Sequence, residues 1–494
     1  MNNLIQTVVF DQDSILGGII EFYKRNFHLE ELSPEFESMV SGYLEELRDD
    51  CWFMIEYPYV DKLYRNNYYN FYASKHKDYP RDCIRVSLFS EEINTRLLLD
   101  ESHHRIIQSL FLGYFIIEPT PHSPIGRSLI SPLSKDINHF ITCTNVYSAA
   151  VRGVKFKIEA FPHAKQNKEN MTCAETSLWV IMDYFSQRYS FYKSILPSDI
   201  NICLNKKADE RLLPSEGLTP SQLSYALKEF GFGSKSYSKS SFENLHEIMN
   251  IYISSGIPFI GVLNNSNDIN DEHDVAAHAV VICGKSEYTI CKVQQWEKND
   301  DDWYDAEQFP NEVIIMDDHE EPYKMVNLDS PYQNSDDDII REFEFKYIVV
   351  PLYPKIYLEA VQAKALAIKI LHDPDYGYQF NPDSVRRFYL SSSRSYKMHI
   401  YEMASISHEI KDLIVRLSMP KLIWCMEVYD STSAFFEENG CSIILIDATE
   451  VNKIHVDSLL LASYPDKTNI ILDGKMQSVE LGLGGYKLFH NNLN

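Results

Sequence analysis

The segment TCAETSLWVIMDYF, Thr172 to Phe185, permits one local structure and anchors the reading of its surroundings. Thr172 and Glu175 have the Thr-x-x-Glu spacing of a capping box, in which the threonine hydroxyl caps a helix and the glutamate reaches back to the threonine amide. Leu178, Ile181, Met182, Phe185 and Tyr189 come next at helical spacing and form a stripe that faces a core. Cys173 is then the first helical residue, where free N–H groups and the positive end of the helix dipole favour an anion. A thiolate is such an anion, and helix N-termini are among the places where thiol pKa values fall. The position suits a small buried apolar residue equally well, so the helix alone leaves the role of Cys173 open.

The chain of 494 residues is too long for one ordinary core. Three segments are expected: an α+β region over 1–150, a middle unit over 151–353, and an α/β region over 354–494, for which the pattern also allows α+β. In the first, Ser33 caps and Pro34 opens a helix carrying Phe36, Met39, Val40, Tyr43, Leu44 and Leu47, while CWFMIEY, CIRVSLF and GYFIIEP read as strands. The tyrosine-rich stretch YVDKLYRNNYYNFYAS reads as half-buried packing, with a peptide-binding surface as the alternative. In the last segment, LEAVQAKALAIKILHD and ISHEIKDLIVRL read as helices, and KLIWCMEV, CSIILIDAT and NIILDG as buried strands. The acidic stretch EKNDDDWYDAEQ reads as a solvated loop. The lone GLGGYK near the end lacks the strand and helix of a nucleotide-binding turn.

Charge and cysteine usage narrow the function classes. With 46 Lys+Arg against 71 Asp+Glu, the net charge of −25 repels phosphate backbones, so nucleic acid is not an expected partner. No apolar run nears the roughly 18 residues of a membrane span, and MNNLIQTVVFDQDS lacks the pattern of a secretory signal; the expected location is the cytoplasm. The 9 cysteines are odd in number, scattered and never arranged as CxxC, which argues against a disulfide framework or a structural zinc site. HDVAAH, from His273 to His278, has an i,i+5 spacing that does not put two ligands on one helix face. Neither a metal nor an organic cofactor is expected.

A Cys–His–carboxylate arrangement can be assembled from residues downstream of the cysteine helix. EGLTPSQLSYALKEFGFGS carries a second helix that Thr219 caps, Pro220 opens and Gly231 stops. SFENLHEIMNIYISSGIPFIGVL is a third helix running into a strand, with Gly256 and Pro258 at the junction. His278 then opens the apolar strand HAVVICGK, which would hold its ring rigidly beside the helix mouth. A thiol nucleophile needs such an imidazole to take its proton and return it to the leaving amine, and a third group to fix the imidazole tautomer. EVIIMDDHEEPY supplies two candidates, Asp317 and Asp318; Asp317 is preferred because it directly ends the apolar run.

Gln166 upstream, Cys173 opening a helix, and His278 at a later strand resemble the pattern of papain-like cysteine peptidases. The order of elements is most similar to the branch that cleaves double-glycine leader peptides, and the resemblance covers only the segment 151–353. It implies a helix packed on an antiparallel sheet and peptide-bond cleavage through an acyl-enzyme. It also implies that Cys173 is the nucleophile, His278 the general base and acid, and Asp317 the orienting group. The Gln166 amide and the Cys173 backbone N–H would be the oxyanion donors. The partner would be a peptide or protein substrate. The same residues would also serve an acyltransferase or isopeptidase, and an inactive scaffold could keep the fold. Two departures stand out: Ala174 and Glu175 come after the cysteine where the family usually has glycine first, and the Gln166–Cys173 separation is one residue longer than customary.

Overall fold

The computed structural model describes residues 5–135, 140–166, 171–207, 217–242, 244–265, 277–286, 298–299, 303–309, 311–335, 337–373, 380, 384–430, 440–451, 458–472, 475–483 and 485–490. His273 and Cys291 lie outside them. Among these residues the fold is mixed α+β, with helices packed against three seven-stranded sheets. Among the described residues no helix is long and apolar enough to cross a membrane.

The first sheet runs in the order Gln6–Asp11, Trp52–Tyr59, Cys83–Phe89, Phe111–Ile117, Ile125–Ile130, Val154–Ala164, Asn145–Val151, all antiparallel. The helices Ile15–Phe27 and Pro34–Glu45 cover one face through Ile19, Phe22, Tyr43 and Leu44. The second of these is capped as its sequence requires, the Ser33 hydroxyl accepting from the Phe36 amide at 3.2 Å. Tyrosines of the helix Lys62–Asn70 and the turn after it cover the other face: Tyr64 and Tyr72 are buried, whereas Tyr69 points to solvent. The hairpin Asn145–Val151/Val154–Ala164 spans the 150/151 boundary drawn from the sequence, so the first sheet extends to Ala164. Its outward alternation (Lys155, Lys157 and Glu159 exposed) carries no mark of which sheet it joins.

The middle sheet runs Lys324–Asn327, Glu312–Met316, His278–Ser286, Phe259–Asn265, Phe343–Val350, Lys235–Ser238, and Phe140–Thr142 also pairs with the histidine-led strand. All its pairings are antiparallel. The helix Cys173–Arg188 packs on it with every residue from Cys173 to Phe185 buried, so the apolar stripe is one face of a helix enclosed all round. The helix Pro220–Glu229 has a complete capping box: the Thr219 hydroxyl accepts from the Gln222 amide at 3.1 Å, and the Gln222 side chain accepts from the Thr219 amide at 2.9 Å. Gly231 (φ 101°) and Gly256 (φ 67°) take the left-handed backbone that ends this helix and the next, Leu245–Ser254.

The third sheet holds Tyr304–Asp305, Ser384–Ser392, Leu422–Asp430, Gly440–Asp447, Leu459–Ser463, Thr468–Leu472 and Lys475–Val479. Among the described residues Tyr304–Asp305 alone pairs parallel and the other pairings are antiparallel, so the C-terminal region is α+β rather than α/β. Its strands are covered on both faces, by the helices Ser393–Glu402 and His408–Arg416 on one side and Ala360–Leu371 on the other. Burial on both faces produces the continuous apolar runs that a parallel sheet also shows, which is why the sequence pattern points to α/β.

The solvated-loop expectation for EKNDDDWYDAEQ is overturned where the chain is described. Asp305 and Glu307 are buried and meet Lys364, while Arg386 Nε lies 2.8 Å from Asp305. Acidic residues are buried here because two cations come from elements far away in sequence.

Candidate active site

The capping box places Cys173. The Thr172 amide donates to Glu175 at 3.1 Å, and the Thr172 hydroxyl donates to the same carboxylate. One turn on, the Ser177 hydroxyl donates to the Ala279 carbonyl at 3.1 Å, which ties the first turns of the cysteine helix to the start of the histidine-led strand. Cys173 and His278 are thereby held at adjoining ends of two packed elements.

Register brings the carboxylates to the same place. Val281 pairs with Met316, so the residues after Met316 run antiparallel back past the start of the His278 strand. His278 Nε2 lies 2.9 Å from Asp317 Oδ1, and both side chains are buried. The remaining oxygen, Asp317 Oδ2, accepts from the Tyr332 hydroxyl, and Oδ1 also accepts from the His319 amide at 3.0 Å. Behind them, buried His163 donates from Nε2 to the Asp317 carbonyl at 2.8 Å, while its Nδ1 meets the Ser128 hydroxyl at 3.1 Å. Asp317 is therefore fixed from several directions, which favours one imidazole orientation.

The electrostatics arise from that packing. Burial opposes charge on His278, but the charge of Asp317, its hydrogen bond, and Cys173 together raise the imidazole pKa well above its ordinary value. Burial would also raise Asp317, yet His278, Tyr332 and the His319 amide hold it well below the usual carboxylate range. His278 Nδ1 has no hydrogen-bond partner among the described residues. Nδ1 is the nitrogen left open once Nε2 is taken by Asp317.

Asp318 behaves differently from its neighbour. Its carboxyl is 5% exposed, and neither oxygen has a hydrogen-bond partner among the described residues. Burial, then the charge of Asp317, pushes its pKa up to about 8. Of the two sequence candidates, Asp317 is the one bonded to His278.

Gln166 lies at the rim of a cleft of about 360 Å³ that Asp318, His319, Lys165, His122 and Tyr72 also line. Its side-chain amide is set against His319 Nε2, and its backbone carbonyl accepts from the Ser123 hydroxyl at 2.7 Å. The His319 ring lies parallel to that of His278, with centroids 4.9 Å apart. The structure thus gathers His278, Asp317, Asp318 and His319 around one locus, with Gln166 set against His319.

His319, Tyr332 and His163 are not singled out by the sequence pattern. His319 has a visible signal, since it directly succeeds Asp317-Asp318 at a strand end. Tyr332 and His163 reach the site only through tertiary packing. Compared with protein-family models and with curated proteins, the chain gives no match.

Proposed function

We propose that this chain is a cysteine peptidase of the papain-like kind, cleaving a peptide amide through a covalent acyl-enzyme. The observation that carries the reading is the buried His278–Asp317 pair at 2.9 Å, with Nδ1 open on an imidazole whose pKa Cys173 helps to raise. Cys173 gives its proton to His278 and attacks the scissile carbonyl carbon. His278 returns that proton to the departing amine, leaving a thioester on Cys173. Water, deprotonated by the same imidazole, hydrolyses the thioester and restores the thiol. Asp317 keeps the ring in the tautomer that presents Nδ1 to sulfur and stabilises the imidazolium.

The developing oxyanion would be met by the Cys173 backbone N–H at the helix start and by the Gln166 amide. His319 bears on that second donor, because its ring occupies one side of the Gln166 amide. Incubating the chain with a mixed peptide library and sequencing the new ends tests the reading. Cleavage that disappears in Cys173→Ala supports it; cleavage unchanged in Cys173→Ala refutes it.

A further inference from the structure

We propose that His278, Asp317, Asp318 and His319 form a binding site for a divalent transition-metal ion of the Zn²⁺ type, and that filling it blocks the chemistry of Cys173. One ligand atom from each of the four residues lies within 4.8 Å of the others. Two imidazoles and two carboxylates are a donor set suited to Zn²⁺ rather than to Mg²⁺ or Ca²⁺, which prefer oxygen alone. Two carboxylates with two neutral imidazoles also balance the charge of a divalent ion.

Independent of that clustering, two of the groups carry buried polar atoms without hydrogen-bond partners among the described residues. Both oxygens of Asp318 lack a hydrogen bond at 5% exposure, and His278 Nδ1 lacks one at 4%, among the described residues. Buried polar atoms are ordinarily paired, and an unpaired carboxylate is costly in a low-dielectric site. A cation coordinated there removes the cost. Asp317 is less available, since His278, Tyr332 and the His319 amide already hold its oxygens. Asp318 is therefore the carboxyl whose oxygens are open to an ion, which would displace its proton on binding. His319, exposed at the cleft rim, is the imidazole a cation entering from the cleft meets first, and binding through its Nε2 would displace the Gln166 amide.

The consequence for Cys173 is geometric. An ion on His278 Nε2 breaks the bond to Asp317, and an ion on Nδ1 occupies the nitrogen left for the thiol. Either way the imidazole can no longer take the cysteine proton. This second part rests on the proposed function; the binding itself does not.

Titrating Zn²⁺ into the full metal-free chain at neutral pH, in competition with a chromogenic chelator, tests the binding. One equivalent is expected, weakened about tenfold or more by Asp318→Asn and by His319→Ala, and kept by Cys173→Ala. Thermal melts of each variant without metal check that it folds. Binding that is absent in wild type, or unmoved by both variants, overturns the site. In parallel, Zn²⁺ should slow alkylation of Cys173 in wild type but not in the Asp318→Asn/His319→Ala double variant; equal slowing in both overturns the blocking role. If Zn²⁺ binds as expected while Cys173 shows no special reactivity, the metal site stands and the peptidase reading falls. The reverse pattern sinks the metal site alone.

Discussion

His278 and Asp317 lie 39 positions apart in the chain and 2.9 Å apart in space, Nε2 to Oδ1, with the aspartate fully buried. Tyr332 and the His319 amide hold the same carboxylate. Asp317→Asn removes the charge that raises His278, and the rate of peptide cleavage should fall on the order of 10²-fold or more. Tyr332→Phe leaves the charge and loses one hydrogen bond, so its loss should be smaller, under about tenfold. Kinetics of the two variants on one peptide substrate check the ordering; equal losses would argue that Asp317 has only a structural role.

Gln166 should separate acylation by substrate from simple thiol reactivity. Gln166→Ala removes an oxyanion donor and is expected to lower turnover by about 10²–10³-fold. Alkylation by a small haloacetamide passes through no tetrahedral oxyanion, so its rate at Cys173 should be nearly unchanged. Parallel loss of both rates would place Gln166 in the packing around the thiol instead.

Lys285 provides a pH-linked stability test away from the chemistry. Its ammonium is buried and hydrogen-bonded to the Ser254 hydroxyl at 2.7 Å; burial, then the charge of Arg387, lowers its pKa to about 7 from 10.5. Between those values the unfolded chain holds the proton that the folded chain has released, so stability from this group rises with pH. Relative to Lys285→Met, wild type should gain up to about 1.4 kcal/mol per pH unit as pH climbs from 7 toward 10. Urea unfolding of both proteins at pH 7 and 9 reads the gap; a gap independent of pH would contradict the assignment.

Lys364 pins the third sheet to the middle unit. From the helix Ala360–Leu371 it meets Glu247 on the helix Leu245–Ser254 as well as Asp305 and Glu307. Lys364→Ala leaves buried carboxylates short of a cation and should cost about 3–5 kcal/mol. Denaturant unfolding measures it; a loss below about 1 kcal/mol would mean that Arg386 alone compensates the acids.

What the sequence disclosed and what it withheld divide along range. Capping boxes at Thr172 and Thr219 and the Ser33 cap are local, and their helices begin where the residues direct. The strand CIRVSLF has the same limits in sequence and structure. Features that depend on distant partners did not show. The 145–164 hairpin joins the first sheet through Ile125–Ile130, the burial of Asp305 needs Arg386, and Tyr332 reaches Asp317 only after the strand Lys324–Asn327 has turned the chain back. At the site, the end of an apolar run marks Asp317, the carboxylate that is hydrogen-bonded to His278. The contact of His319 with Gln166 was not legible, because 153 residues separate them.

The most direct measurement is the alkylation rate of each cysteine by a small electrophile at neutral pH, read by peptide mapping. Exposure alone favours Cys441, the one described cysteine that is not buried, over Cys173, which is 7% exposed. Burial pushes the thiols of Cys83, Cys143, Cys283 and Cys425 up, so they should be slow. The account predicts that Cys173 reacts fastest of all 9 and that His278→Ala abolishes the advantage. If Cys441 outpaces Cys173 and His278→Ala changes nothing, Cys173 is not an activated nucleophile and the proposed chemistry is wrong.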